Sequence, residues 1–254
     1  MGYPKDILTS RAVVRPGEYA IIPPEGLVNN IIPGIENCVT SILASPKYGA
    51  SFAQYILTAQ PGGGTTRPWA KEEGIESFVY IVDGCGQFTV DGKTYEAPQG
   101  AYIYAPAGVG IEFKNTGDTE MKAMLYKQRY VECEGLQPYV FYGNVNDIPF
   151  RIYDNMENVF VKDLLPVDIN FDMNFHILSF APGGCHPFVE THVQEHGAYI
   201  LEGEGCYYLA DNWTMIKKND FIWFGPFSCQ CAYGVGRTNF TYIYSKDCHR
   251  DVVL

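Results

Sequence analysis

A segment of this chain occurs twice. Tyr80-Ile81-Val82-Asp83-Gly84-Cys85-Gly86 resembles Tyr199-Ile200-Leu201-Glu202-Gly203-Glu204-Gly205, 119 positions later. The same interval pairs Tyr102-Ile103-Tyr104 with Phe221-Ile222-Trp223, and Lys127 with Lys246. One interval held across three separated segments points to duplication. A period this long means two copies of a domain, not a solenoid. The 254 residues suffice for two small domains.

Each copy reads as β-structure. Gln87-Phe88-Thr89-Val90 and Lys93-Thr94-Tyr95 flank Asp91-Gly92, a strong hairpin signal, and Asp211-Asn212 stands at the matching turn. Aromatics reach 15%, with 26 Gly and 16 Pro, which favours strands and tight turns over helices. The class is therefore all-β, as two tandem barrels or sandwiches. The expected layout is an N-terminal arm over 1–50, a first barrel over 51–131, a connector over 132–164 and a second barrel over 165–254.

Charge and cysteine usage exclude several functions. The formal net charge of -11 would repel a phosphate backbone, which argues against nucleic acid as a partner. No run of 18 apolar residues exists, so no membrane helix is expected. Met1-Gly2-Tyr3-Pro4-Lys5-Asp6 shows neither a signal peptide nor a myristoylation pattern. The eight cysteines form no CxxC pair and read as free thiols of a reducing, cytoplasmic compartment.

The second copy carries a candidate metal set. Gly184 is followed after five residues by Glu190-Thr191-His192, then His196, then Gly203. The frame resembles the first motif of the cupins, with the Glu and one His exchanged. The cupins' second motif places Gln230 in its His slot, with Asn219 in a Gly slot and Gly225 where Pro is usual. Glu190, His192 and His196 share strand parity and can face one interior, with Gln230 arriving from a later strand. Two imidazoles, a carboxylate and an amide oxygen suit Mn(II) or Fe(II) better than a closed zinc site. Taken singly, each residue is more often a surface or core residue, and their joint spacing carries the metal reading. Cys229 and Cys231 flank Gln230 and should point away from the metal. His186 lies off the frame and reads as a loop residue, and His176 as structural. In the first copy the same interval places Lys71, Glu73, Ser77 and Ile111 in the ligand slots, so that barrel should hold no metal.

His192-Val193-Gln194-Glu195-His196 also matches the H-x-x-E-H pattern of inverzincin peptidases. That chemistry needs a helix, and Gly197 followed by Ala198-Tyr199-Ile200-Leu201 reads as strand. Glu195 moreover matches Glu76 in the copy without histidines, which suits a structural residue.

Over its whole length the chain resembles the (S)-ureidoglycine aminohydrolases, a bicupin family of allantoin degradation. The resemblance rests on Asn30-Ile31-Ile32-Pro33-Gly34, Ser45-Pro46-Lys47, Gly49-Ala50-Ser51-Phe52, the run from Glu190 to Leu201, and Tyr244-Ser245-Lys246-Asp247-Cys248. It implies a bicupin fold, two cupin barrels of the double-stranded jelly-roll type. It also implies Mn(II) held by Glu190, His192, His196 and Gln230. Tyr207, Tyr242, Lys246 and Glu190 would contact the substrate, with Lys246 and Glu190 in catalytic roles. The implied reaction is ureidoglycine plus water giving ureidoglycolate and ammonia, in a homo-oligomer. The rival readings are a cupin dioxygenase or decarboxylase using the same metal set, and a non-enzymatic small-molecule-binding bicupin.

Overall fold

The structure is a computed structural model describing residues 9–252 and 254; the targeting signals sought in Met1–Asp6 lie outside them. Twenty strands carry the fold, with no α-helix among the described residues. They are β1 (Val13–Arg15), β2 (Tyr19–Ile22), β3 (Ile35–Ala44), β4 (Phe52–Thr65), β5 (Ile75–Asp83), β6 (Gly86–Val90), β7 (Lys93–Ala97), β8 (Ala101–Ala105), β9 (Glu112–Asn115) and β10 (Met121–Arg129). There follow β11 (Phe141–Asn144), β12 (Arg151–Tyr153), β13 (Met156–Asp163), β14 (Met173–Phe180), β15 (His196–Glu202), β16 (Glu204–Leu209), β17 (Asn212–Lys217), β18 (Phe221–Phe224), β19 (Gln230–Val235) and β20 (Phe240–Asp247). Shifted by 119 positions, each of β3 to β10 falls on its counterpart among β13 to β20. The duplication is thus structural, strand for strand, and the fold is the expected all-β bicupin.

The copies begin earlier than the Tyr80/Tyr199 similarity suggests. β3 pairs with β4 and β13 with β14, so parts of the segments 1–50 and 132–164 are sheet strands. The β1–β2 hairpin extends the second copy's large sheet by pairing β2 with β18, and β11 pairs with β8 of the first. Strands as short as Val-Val-Arg or Tyr-Ala-Ile-Ile are too short to show a period.

The two large sheets pack against each other, which explains the unbroken apolar runs. A strand buried on both faces has no polar alternation to show. In β8, Ala101, Ile103 and Ala105 fill the first barrel while Tyr102 and Tyr104 enter the layer between barrels. In β18, Ile222 and Phe224 fill the second barrel while Phe221 and Trp223 face the other way. Phe78 of the first copy stacks on Phe175 of the second with ring centroids 4.0 Å apart. Burying each such ring is worth about 1.5–3 kcal/mol.

Glu76 and Glu195, equivalent in the repeat, anchor this layer. Glu195 is buried and accepts from Trp223 Nε1 at 2.8 Å and from Ser51 N at 2.9 Å. Glu76 accepts from Tyr104 Oη and from Gln128 Nε2 at 2.7 Å. Tyr104 is the repeat partner of Trp223, so one carboxylate-to-aromatic bond recurs in both copies. Residues 192–195 form no helix, so the H-x-x-E-H geometry of a peptidase is absent, and Glu195 is a packing residue.

Candidate metal centre and active site

The predicted residues gather in the second barrel, His196, Tyr207, Gln230, Tyr242 and Lys246 from strands and Glu190 and His192 from the irregular segment before β15, which is not the strand that the parity reading expected. A cavity of about 60 Å³ is lined by Glu190, His192, His196, Tyr207, Gln230, Tyr242, Tyr244 and Lys246, among others. Tyr242, Tyr244 and Lys246 share the inner face of β20, as their spacing requires. Tyr207 comes from β16 and Gln230 from β19. Glu190 faces Gln230 through a bridge of two backbone hydrogen bonds, 2.8 and 2.9 Å.

Both imidazoles are held as one tautomer. His196 Nδ1 lies 2.7 Å from the Ser245 carbonyl and His192 Nδ1 3.0 Å from the Gln194 carbonyl. A carbonyl only accepts, so each Nδ1 carries the proton and each Nε2 keeps its lone pair. Burial lowers the pKa of both rings, that of His196 far below its ordinary value, so both are neutral. The two Nε2 atoms face each other at 3.4 Å. Two lone pairs at that distance repel, and 3.4 Å is about the separation of two ligand nitrogens around one ion at ~2.1 Å each. Burial raises the Glu190 pKa, while Lys246 lowers it. The donor set therefore fits a cation.

The fourth member needs one adjustment. Gln230 Nε2 lies 3.1 Å from His192 Nε2 and 3.3 Å from Glu190 Oε2, while its Oε1 accepts from Tyr207 Oη at 2.9 Å. A half-turn of the amide would direct Oε1 at the histidines and offer Nε2–H to Tyr207 Oη. As placed, the described residues contain no group of three His, Cys, Asp or Glu side chains gathered around a metal position. Gln230 is the link that joins the carboxylate to the histidine pair.

Other residues depart from expectation. His186 lies outside the strands, as expected of a loop residue, but it is no surface group: it is 5% exposed and lines the cavity. Its Nδ1 accepts from Ala232 N at 3.1 Å, which leaves Nε2 as the protonated nitrogen, and burial pushes its pKa down to about 4. Tyr153, from β12, also lines the cavity. His176 stands behind Tyr244, with Nδ1 3.3 Å from its Oη and Nε2 3.5 Å from Asp163 Oδ1. Neither Cys229 nor Cys231 lines the cavity. Asn219, in the slot where cupins carry glycine, has φ +72°, and its counterpart Gly100 has φ +83°. Asparagine tolerates this left-handed conformation better than other side chains, so the slot keeps its shape.

The first barrel has no equivalent centre. Trp69 bridges Ile111 there as Glu190 bridges Gln230, so Trp69, not Lys71, occupies the carboxylate's place. The stretch from Trp69 to Ser77 is two residues longer than that from Glu190 to His196, which upsets a fixed interval. Trp69 and Ile111 are packed in a continuous apolar core.

The cupin-domain family model matches residues 55–126, most of the first barrel. The (S)-ureidoglycine aminohydrolase of Escherichia coli K12 is 48% identical over 254 residues, covering 100% of this chain and 97% of that protein. The chain belongs to the (S)-ureidoglycine aminohydrolase family. A probable (S)-ureidoglycine aminohydrolase of rice is 29% identical over 93% of this chain and 75% of its own. The crystal structure of the E. coli protein Ylba superposes with a TM-score of 0.89 at 46% identity, covering 100% of both chains. No helix among the described residues is long and apolar enough to cross a membrane.

Proposed function

We propose that the chain hydrolyses (S)-ureidoglycine to (S)-ureidoglycolate and ammonia in the second barrel, as a Mn(II)-dependent homo-oligomer of the cytoplasm. The observation that carries the reading is the full-length 48% identity to an enzyme of that name. The cavity supports it: a small polar pocket with one ammonium, Lys246, three neutral imidazoles and a fan of tyrosines suits a small α-substituted acid. Eight unpaired thiols support the compartment.

Glu190, His192, His196 and Gln230 would hold the metal. When bound, Mn(II) supplies a positive centre that orients the anionic substrate and makes bound water more acidic. The Lys246 ammonium pairs with the substrate carboxylate. Tyr207 and Tyr242, whose hydroxyls stand 3.5 Å apart, are fully buried, and burial raises both pKa values, so both remain neutral hydrogen-bonding groups. With the amine carried as its ammonium form, the ureido nitrogen lone pair expels ammonia from the shared carbon, leaving a cationic C=N bond. Water adds to that carbon from one face and gives up a proton, which Glu190 would accept.

The test is ammonia release from freshly generated ureidoglycine by chelator-stripped protein, with and without added Mn(II), alongside oxygen uptake. Mn-dependent ammonia release without oxygen uptake is expected. Oxygen uptake would favour the dioxygenase reading, and no turnover with any metal would overturn the assignment.

A further inference from the structure

The duplication supplies an internal control for every surface of the molecule, and one surface fails it. The small sheet of the second barrel consists of β17, β16 and β19, in that order. Its inner face carries Tyr207 and Gln230. Its outer face carries two cross-strand rows, Trp213–Tyr208–Cys231 and Met215–Cys206–Tyr233. The first copy builds the same two rows from Thr94–Thr89–Glu112 and Glu96–Gln87–Lys114. All six positions are polar or charged in one copy. In the other they are aromatic, Met or Cys, with no charge. In the first copy the polar pairs satisfy each other, Gln87 Nε2 donating to Glu96 Oε1 at 2.8 Å. In the second the rings stack in the open, Tyr208 on Trp213 at 5.1 Å and Trp213 on Tyr233 at 5.4 Å.

Folding alone does not require this face, since the first barrel folds with its polar version. Trp213, Met215 and Tyr233 are 51, 54 and 41% exposed. Val189, 48% exposed, continues the Trp213 row on the segment bonded along β19. At 150–250 Å² for a large side chain, these four leave on the order of 400 Å² of mostly apolar surface open. That is about half of the ~800 Å² per partner of a stable interface, before Tyr208, Cys206 and the rim are added.

We propose that this face is the docking surface for a second copy of the same chain, packed face to face about a two-fold axis. The proposal rests on the homo-oligomer reading above and assigns its surface. Charge favours a self-contact here. Two copies of a -11 chain repel, so their contact must be free of carboxylates, and these two rows are. The first barrel's version carries Glu96, Glu112 and Lys114, charges that would have to be stripped of water on docking. The next row pairs Glu204 with Lys217 across strands, opposite charges that can be exchanged with a two-fold mate at the rim. Docking would also stiffen the sheet whose inner face presents Tyr207 and Gln230 to the metal cavity.

The experiment is sedimentation at micromolar concentration of wild type, Met215→Glu and Tyr233→Lys, with near-UV circular dichroism as the check on folding. Both substitutions install the residue that the first copy carries at the matching position. Wild type should sediment at twice the 28.4 kDa chain mass or more. Each variant should lose at least half of that mass while staying folded. Mixing Met215→Glu with Met215→Lys copies should restore association. If a charged variant misfolds, Trp213→Thr, also taken from the first copy, makes the same test without adding charge. Folded variants that keep the wild-type mass would overturn the face assignment and leave the oligomer reading intact. A monomeric wild type would overturn both, whether or not the patch then binds lipid vesicles or an unrelated protein.

Discussion

Glu76→Gln should flatten the pH dependence of stability. The Glu76 carboxyl is fully buried between the barrels, and Asp172, 3% exposed, faces it. Asp172 Oδ2 accepts from Val131 N at 2.6 Å, while its Oδ1 has no donor. Burial first, and the Asp172 charge second, hold Glu76 well above the carboxylate range. Burial raises Asp172 too, against the pull of Arg250. Two carboxylates so placed hold a shared proton to higher pH than either would alone, and that proton supplies the donor that Asp172 Oδ1 lacks. A group whose folded pKa is raised contributes stability that is complete below its unfolded value of about 4.3 and is lost as pH rises to the folded value. Within that window wild type should lose up to about 1.4 kcal/mol per pH unit relative to the variant. For a chain of this size that is roughly 3–5 °C in Tm per pH unit. Glutamine gives Asp172 an amide donor and keeps one of the two acceptor oxygens that serve Tyr104 and Gln128; the bond it loses is a cost that does not vary with pH, so Glu76→Gln should not share the pH-dependent loss. Asp247, pushed up to about 6 by burial, titrates in both proteins and cancels in the comparison. Calorimetry of the pair from pH 5 to 8 measures the difference. Parallel Tm curves would refute the shared proton.

The remaining expectations concern the second barrel. His192→Ala and His196→Ala should each abolish Mn content by elemental analysis, whereas Glu73→Ala, in the first copy, should leave it unchanged. Gln230→Ala should weaken Mn binding about tenfold or more in a titration, and the Cys229→Ser, Cys231→Ser pair should not, since neither thiol reaches the cavity. Tyr207→Phe removes the hydroxyl on Gln230 Oε1; kcat/KM should fall by about 10–100-fold, the worth of roughly 1.4–2.7 kcal/mol, with Tm almost unchanged. Glu195→Ala should cost about 3 kcal/mol or more of stability by stranding the Trp223 and Ser51 donors, with Tm falling roughly 6–12 °C. An activity loss without that Tm loss would restore it as a catalytic base.

The duplication and the shared face of Gln230 with its flanking cysteines turned away, and of Tyr242 with Lys246, were readable because a strand's side-chain period is fixed at two; Glu190 and His192 lie on the irregular segment before β15, so their strand parity was not the reason they reach the cavity. The 119-residue interval located every strand pair from β3/β13 to β10/β20. It failed where spacing changes locally, as at Trp69, which two extra residues shift into the carboxylate's place. β1, β2 and β11 are too short to carry a period, and their partners are chosen by the large sheets. His186 and Tyr153 enter the cavity only through barrel closure and the path of the connector, which no local pattern encodes. The outer-face contrast between copies was present in the sequence, but it acquires meaning only once cross-strand register shows six residues to be one patch.

One metal is expected in each chain, in the second barrel. Crystals grown with Mn(II), measured for anomalous scattering at the manganese edge, test that claim most directly. A single anomalous peak among Glu190, His192, His196 and the Gln230 oxygen, with none beside Trp69 and Ile111, is the predicted result. A peak in the first barrel, or a manganese-loaded crystal with no peak at those four residues, would contradict it.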